Sequence, residues 1–132
     1  MIRNFHRITI IKNRKPPKHL NEEIKWLASS LGLINQRDKD RSCFRIFVVL
    51  LQNKDEGLSS DEIAYKLELS RGTVVHHLER IIETGIIIPE HNKYILRSSN
   101  LNQTVEEIQQ DIENTWKAIR ETASKIDKKL GL

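Results

Sequence analysis

Apolar residues recur every three or four positions near the start of the chain, a spacing typical of an amphipathic helix. This first helix is predicted from an N-cap at Asn21 to a stop at Gly32. Its apolar face consists of Leu20, Ile24, Leu27, Ala28 and Leu31. The side opposite this face is largely polar, so we expect one face of the helix to be buried and the other exposed.

A second helix is predicted from Asp40 or Ser42 to Gln52. Its segment CFRIFVVLL is apolar nearly all round, which is typical of a helix buried between other elements. Cys43, the only cysteine of the chain, lies in this segment. We therefore expect a buried structural thiol rather than a reactive one.

Capping signals predict two short helices joined by a tight turn. SSDE (59–62) has the form of a capping box at the start of the helix DEIAYKL, and ELS forms the turn. Ser70 then caps a helix spanning about 70–84, with Gly85 at its stop. IIIPE and KYILR follow, separated by His-Asn, and predict a hairpin wing at about 86–97 with Pro89 at an edge. The predicted fold is mainly α with a small β-hairpin wing, a winged helix-turn-helix.

The last 35 residues predict a long amphipathic helix that lies outside this domain. Its apolar positions are spaced 3, 4, 4, 3, 4, 3 and 4 apart, with one four-residue stutter near the middle. We call these positions the seam: Val105, Ile108, Ile112, Trp116, Ile119, Ala123, Ile126 and Leu130. A helix of about 26 residues is roughly 39 Å long, more than a small domain covers easily. The seam therefore predicts a dimerisation coiled coil, with packing against its own domain as the alternative.

The net charge of +4 is concentrated at the N-terminus. Residues 1–20 contain six cations and no acid, whereas residues 21–132 sum to −2. FHRITII (5–11) is β-prone, and Pro16 and Pro17 force an extended backbone. The predicted organisation is a basic N-terminal arm at 1–19, a winged helix-turn-helix at 20–97 and a terminal helix at 98–132. A basic arm is typical of nucleic-acid-binding tails, although a solubilising tail explains the charge nearly as well.

The sequence predicts a cytoplasmic protein. A single cysteine permits no intramolecular disulfide, which is typical of a reducing compartment. The longest apolar run, FVVLL (47–51), is far shorter than the roughly 20 residues of a membrane span. The first residues also lack the apolar region of a signal peptide. No membrane partner is predicted.

The adjacent residues His76 and His77 raise the question of a metal or catalytic site. Stepping about 100° per residue from Val74 places His76 near 200° and His77 near 300°, so the two side chains diverge and cannot share one ion. The chain contains no metal-ligand spacing, phosphate-binding loop, nucleophile elbow or paired-carboxylate motif. We therefore predict no catalytic residue, no metal ligand and no cofactor.

The same helical wheel predicts an outward face opposite a core of Val74, Leu78, Ile81 and Ile82. This outward face consists of Arg71, Gly72, Thr73, His76, Glu79, Arg80 and Glu83. Arginine can donate two hydrogen bonds to guanine, and threonine and histidine can contact bases or phosphates. With the wing tip and the arm, the candidate DNA-binding residues are Arg71, Gly72, Thr73, His76, Arg80, His91, Asn92, Lys93, Lys12, Arg14, Lys15 and Lys18. By itself, this face would also suit a solvated helix.

The segment LSSDEIAYKLELSRGTVVHHLERIIETGIII resembles the DNA-binding core of ArsR-like winged-helix transcription regulators. The shared pattern falls on Leu69–Ser70, Val74, His77–Leu78 and Gly85. The resemblance covers residues 58–97, and the whole chain looks similar to small archaeal regulators. It implies that the helix at 71–80 reads DNA, that the wing touches the backbone and that the protein is a dimer. Metal-sensing members carry a cysteine pair where this chain has DEIAYKL, or Asp/His pairs in a terminal helix that lacks histidine here, so no metal or small-molecule effector is evident.

The predicted function is that of a homodimeric, sequence-specific transcription regulator that binds double-stranded DNA and is not an enzyme. The alternative is a winged-helix protein-interaction module whose seam binds a different protein. RNA binding through the arm is less favoured, because the chain has few aromatic residues on which bases could stack.

Overall fold

The structure, a computed structural model, describes residues 6–34 and 41–132. The described residues form α1 (Leu20–Ser30), α2 (Ser42–Gln52), α3 (Ser60–Leu67), α4 (Arg71–Glu83), β1 (Ile87–Glu90), β2 (Lys93–Leu96) and α5 (Leu101–Leu130). Asp40, one of the two predicted starts of the second helix, lies outside the described residues, and α2 begins at Ser42. Two short helices followed by a hairpin and a long terminal helix confirm the winged helix-turn-helix class.

The core lies where α2, α3 and α4 meet. Phe47, Ile63 and Val74, one from each helix, are fully buried. The hairpin closes the core from one side with Ile87 and Leu96. Since α2 contacts both α3 and α4, its nearly all-round apolar surface is explained, and its predicted burial is confirmed. Cys43 is buried with its thiol 3.1 Å from the carbonyl oxygen of Leu33, as expected for a structural cysteine.

The prediction for the start of α1 was wrong. The helix begins at Leu20, so its N-cap is His19, whose side chain makes no capping hydrogen bond. Asn21 lies inside the first turn, where its side chain cannot act as the N-cap. Leu20, assigned to the apolar face, is largely exposed. The far end follows the prediction, because Gly32 adopts the left-handed φ of +69° that ends many helices.

The described part of the N-terminal arm lies across the domain without forming a strand. The backbone N–H of Arg7 donates to the carbonyl of Glu83 (2.8 Å), and that of Ile11 donates to the carbonyl of Ser30 (2.8 Å). Ile8 packs against the core. The β-prone stretch therefore satisfies its backbone at helix ends instead of pairing with a strand. Residues 1–5 lie outside the described residues.

The hairpin gains a second pairing that the sequence pattern did not predict. β1 and β2 pair antiparallel, with Pro89 opposite Tyr94, and β1 is the outer strand, as Pro89 requires. On the other side of β2, Leu58 and Tyr94 exchange backbone hydrogen bonds of 2.9 and 3.3 Å. Gly57 permits this approach, because a Cβ there would lie 2.7 Å from Cγ2 of Ile95 and 2.9 Å from the carbonyl oxygen of Tyr94.

Candidate nucleic-acid interface

Caps at the ends of α3 and at the start of α4 fix the helix-turn-helix. At the start of α3, Ser59 and Glu62 form the predicted capping box, with both hydrogen bonds at 3.1 Å. Glu68 ends α3 in the left-handed region, with φ of 54°. Ser70 Oγ accepts from the backbone N–H of Thr73 at 3.1 Å and starts α4. The Glu68 and Ser70 caps define the two ends of the turn from which α4 starts.

The exposed surface of α4 differs from the predicted outward face. It consists of Arg71, Gly72, Val75, His76 and Glu79. On the helical wheel this surface is centred near 130°, about 50° away from the centre of the predicted face.

Contacts from the rest of the domain explain this rotation. Thr73, Arg80 and Glu83 are half-buried rather than exposed. Arg80 Nη2 lies 3.5 Å from the carbonyl oxygen of Gly32, and the arm bonds the carbonyl of Glu83. The end of α1 and the arm thus lie beside Arg80 and Glu83, whereas the Thr73 hydroxyl accepts from that of Ser70 at 2.8 Å.

Val75 is the functional candidate that sequence reasoning missed. It is 38% exposed on α4, one turn after Arg71. The same wheel places it near 100°, outside the buried face, and this signal was available from the sequence. Tyr65, on α3 one turn after Asp61, is also highly exposed. An exposed valine can contact a thymine methyl group, and a tyrosine hydroxyl can contact a phosphate.

The two histidines separate as the wheel predicts. His76 is exposed and His77 is half-buried, with their rings edge-on and 5.5 Å apart between centroids. Val74, Leu78 and Ile81 are buried, which confirms the predicted core face. Within residues 6–34 and 41–132, no cluster of three or more histidine, cysteine or acidic side chains could hold a metal ion.

The wing tip is a two-residue turn held close to α3. His91 and Asn92 are exposed and both have positive φ values, 50° and 63°, as a type I′ hairpin turn requires. Lys93 Nζ lies 3.9 Å from Glu62 Oε1. The pKa of the Glu62 carboxyl lies below its ordinary value, chiefly because it accepts hydrogen bonds from Ser59, with Lys93 adding a smaller attraction.

The basic side chains of the arm remain exposed although its backbone is bound. Lys12, Arg14, Lys15 and Lys18 are all exposed. The arm is held nearby at two points: the side-chain amide of Asn13 donates to the Ser30 hydroxyl (2.9 Å), and the Trp26 indole donates to the backbone carbonyl of Arg14 (2.7 Å). The arm thus presents its charge from a fixed path rather than from a free tail.

The seam divides into a covered part and an uncovered part. Ile108 is only 3% exposed and belongs to the core of its own domain, so its predicted place at a partner interface is corrected. Val105 and Ile112 are half-buried. Beyond them, Trp116 and Ile119 are 61% and 52% exposed. The remaining seam positions, Ala123, Ile126 and Leu130, are exposed as well.

Residues 44–95 match a family model described as an HTH (helix-turn-helix) domain. No curated protein and no solved structure shows significant similarity to the chain. The match runs from α2 into β2, so it includes the capped turn and α4. It supports a helix-turn-helix DNA-binding regulator. Across the described residues, no helix has the length and apolar character needed to cross a membrane.

Proposed function

We propose that the protein is a homodimeric, sequence-specific transcription regulator that places α4 in the major groove of DNA and the wing on the backbone. The observation that supports this most directly is the exposed surface of α4 behind a doubly capped turn, within the segment that matches the HTH domain. A helix presented in this way fits the major groove, where each base pair offers a distinct pattern of donors and acceptors.

The base contacts are assigned to the start of α4. Arg71 can donate two hydrogen bonds to guanine, His76 can bond a base edge, and Val75 can cover a thymine methyl. Gly72 lies beside Arg71, and apart from its chain neighbours and the backbone of its own helix, a Cβ there would meet no described atom within 4 Å. The glycine therefore leaves room for close approach of DNA. Thr73 and Arg80, which lie on the half-buried flank, are proposed to contact phosphates at the groove edge.

The wing and the arm supply contacts that do not depend on base sequence. His91, Asn92 and Lys93 lie at the hairpin turn, where they can bond phosphate oxygens. Lys12, Arg14, Lys15 and Lys18 add four exposed positive charges. Such charges bind DNA by releasing counterions, so they strengthen binding to all sequences and make it depend on salt.

A second copy of the chain is proposed to cover the uncovered part of the seam. Isolated apolar side chains are common on protein surfaces, but a row of five along one helix face is typical of an interface. A dimer would place two copies of α4 on one side of DNA, about 34 Å apart for successive half-sites.

Selection of bound duplexes from a random DNA pool tests the proposed function. We expect an enriched, two-fold symmetric site with half-sites one helical turn apart, bound at least about 1,000-fold more tightly than random DNA at physiological salt. No enrichment, together with binding no tighter than that of a synthetic peptide of residues 1–19, would show that the domain does not read DNA.

A protein-interaction module is the second candidate. The observation that favours it is charge: residues 21–132 sum to −2, and Asp61 and Glu79 are exposed beside the surface of α4. Phosphates would repel both carboxylates. Purification of a stoichiometric complex with a different protein, from a chain that shows no DNA affinity, would favour this candidate over DNA binding.

A further inference from the structure

An ion pair joins the first turn of α3 to the first residue of α4. Asp61 Oδ1 accepts from Arg71 Nε at 2.7 Å and lies 2.5 Å from Arg71 Nη2. The pair spans the turn between the two helices, and both side chains are mostly exposed, by 65% for Asp61 and 73% for Arg71. Because water screens exposed pairs, this one contributes little to folding. Its main consequence is the orientation of the guanidinium group.

The way in which Asp61 binds Arg71 leaves a defined edge of the guanidinium free. An arginine side chain has five N–H donors in a rigid plane. One carboxylate oxygen engages the edge formed by Nε and Nη2. The opposite edge, formed by Nη1 and the second N–H of Nη2, keeps a parallel pair of donors. In the major groove, guanine presents two acceptors, O6 and N7, at a spacing that matches such a pair.

We infer that Asp61 is a positioning residue that aims Arg71 at a guanine in each half-site, an inference that rests on the proposed function. Fixing the guanidinium before binding removes rotamers that would otherwise be lost on contact with DNA. Asp61 also makes the surface more selective, because its negative charge lowers affinity for phosphates at every sequence. DNA sites that offer Arg71 no guanine are thereby bound more weakly relative to sites that offer one.

A double-mutant cycle on the selected DNA site tests the inference. Binding is measured for the wild type, Asp61→Ala, Arg71→Ala and the double variant, on the selected site and on sites with each G·C pair changed to A·T. For the wild type, one such change in each half-site should weaken binding about tenfold or more. Arg71→Ala should remove this preference. Asp61→Ala should lower it at least threefold, with no further effect when Arg71 is already alanine.

Two further variants separate positioning from charge and from folding. Asp61→Asn keeps one acceptor for Arg71 and should retain part of the guanine preference. Asp55→Ala removes an equal charge from the loop between α2 and α3, where Asp55 pairs with Lys54, and should leave the preference unchanged. Both Asp61 variants should bind random DNA as tightly as the wild type or more tightly, an outcome that loss of folding could not give.

The outcomes distinguish this inference from the proposed function. A wild type without any base preference refutes the proposed function, and the inference with it. Clear base preference that Asp61→Ala leaves intact overturns the inference alone. The same conclusion follows if Asp61→Ala acts equally in the presence and absence of Arg71, since positioning requires the two effects to be coupled.

Discussion

Gly72 lies in the first turn of α4, a position where glycine has no structural purpose within the described chain. Its φ lies outside the left-handed region, and a Cβ would meet nothing within 4 Å. Glycine in a helix costs about 0.5–1 kcal/mol relative to alanine. Gly72→Ala should therefore raise the free energy of unfolding by about that amount and, if DNA approaches here, weaken specific binding about tenfold. Thermal unfolding and a binding titration measure the two effects.

At an interface glycine, replacement by alanine raises the free energy of unfolding but lowers DNA affinity. This combination distinguishes it from a structural glycine. Ser124→Ala is the matched control, because it also raises helix propensity, at an exposed site on α5. It should stabilise slightly without changing DNA affinity. If Gly72→Ala also leaves affinity unchanged, DNA does not approach the start of α4 closely, and the proposed placement of that helix is wrong.

Single residues also show where sequence reasoning fails at the interface. Buried positions of α4 follow from helical spacing, because one helix determines its own apolar face. Exposure of the other face depends on neighbours that are distant in sequence. Arg80 is half-buried, with its guanidinium beside the carbonyl of Gly32, 48 residues earlier, and no local pattern encodes this contact. The 38% exposure of Val75, in contrast, agrees with its place on the helical wheel.

Among the elements, those set by local signals were predicted well, except for the start of α1. The capping box, the Ser70 cap, the Gly85 stop and the two-residue hairpin turn all form where the sequence places them. The pairing of Leu58 with Tyr94 was missed, because a single bridge leaves no alternating pattern and Gly57 resembles an ordinary loop glycine. The path of the arm was missed as well. Its backbone hydrogen bonds go to the ends of two separate helices, and no local pattern encodes such bonds.

The arm combines a structural role with a proposed electrostatic one, and this determines how it should be tested. Deleting residues 1–18 would remove Ile8 from the core and expose helix ends, so weaker DNA binding would be ambiguous. Replacing Lys12, Arg14, Lys15 and Lys18 by glutamine keeps the backbone path and removes only charge. Affinity should fall equally for specific and random DNA, and the slope of log K against log salt should flatten by about one for each phosphate that the arm no longer neutralises.

An equal change of charge elsewhere controls for net charge alone. Replacing four exposed cations of α5 by glutamine (Lys117, Lys125, Lys128 and Lys129) lowers the charge by the same amount, far along the chain from the arm. This control should change the salt slope less than the arm variant does. Equal slopes for the two variants would mean that the arm does not touch DNA and serves only to hold the domain together.

In the whole molecule, α5 links the wing to the uncovered part of the seam. Arg97, which follows β2, pairs with Asp111 (Nη1–Oδ2, 2.8 Å) and lies 3.6 Å from Glu107. The backbone N–H of Ser98 donates to the Thr104 hydroxyl, and Ile108 enters the core. The base of the helix is therefore fixed to the domain, and a partner bound farther along α5 would set the spacing between two wings and two copies of α4.

One part of the seam packs against its own domain, and the other part is uncovered. Only substitutions in the uncovered part test dimerisation without disturbing the domain. Ile112 packs against the core, so Ile112→Asp would disturb the domain whether or not a partner exists. Ile119→Asp with Ile126→Asp changes two exposed seam positions and should leave the domain folded. We expect a dimer for the wild type and a monomer for this variant by light scattering at micromolar concentration, because two carboxylates cannot be buried without partners.

Asn114→Asp with Lys125→Gln is the matched control, since it lowers the charge by the same two units at exposed positions on the opposite side of α5. It should remain a dimer. The Ile119/Ile126 variant should also bind a single half-site with unchanged affinity while losing the tighter binding to the two-fold site, because each α4 is intact and only the link between copies is broken. A monomeric wild type that still binds the symmetric site would instead show that DNA, and not the seam, brings two copies together.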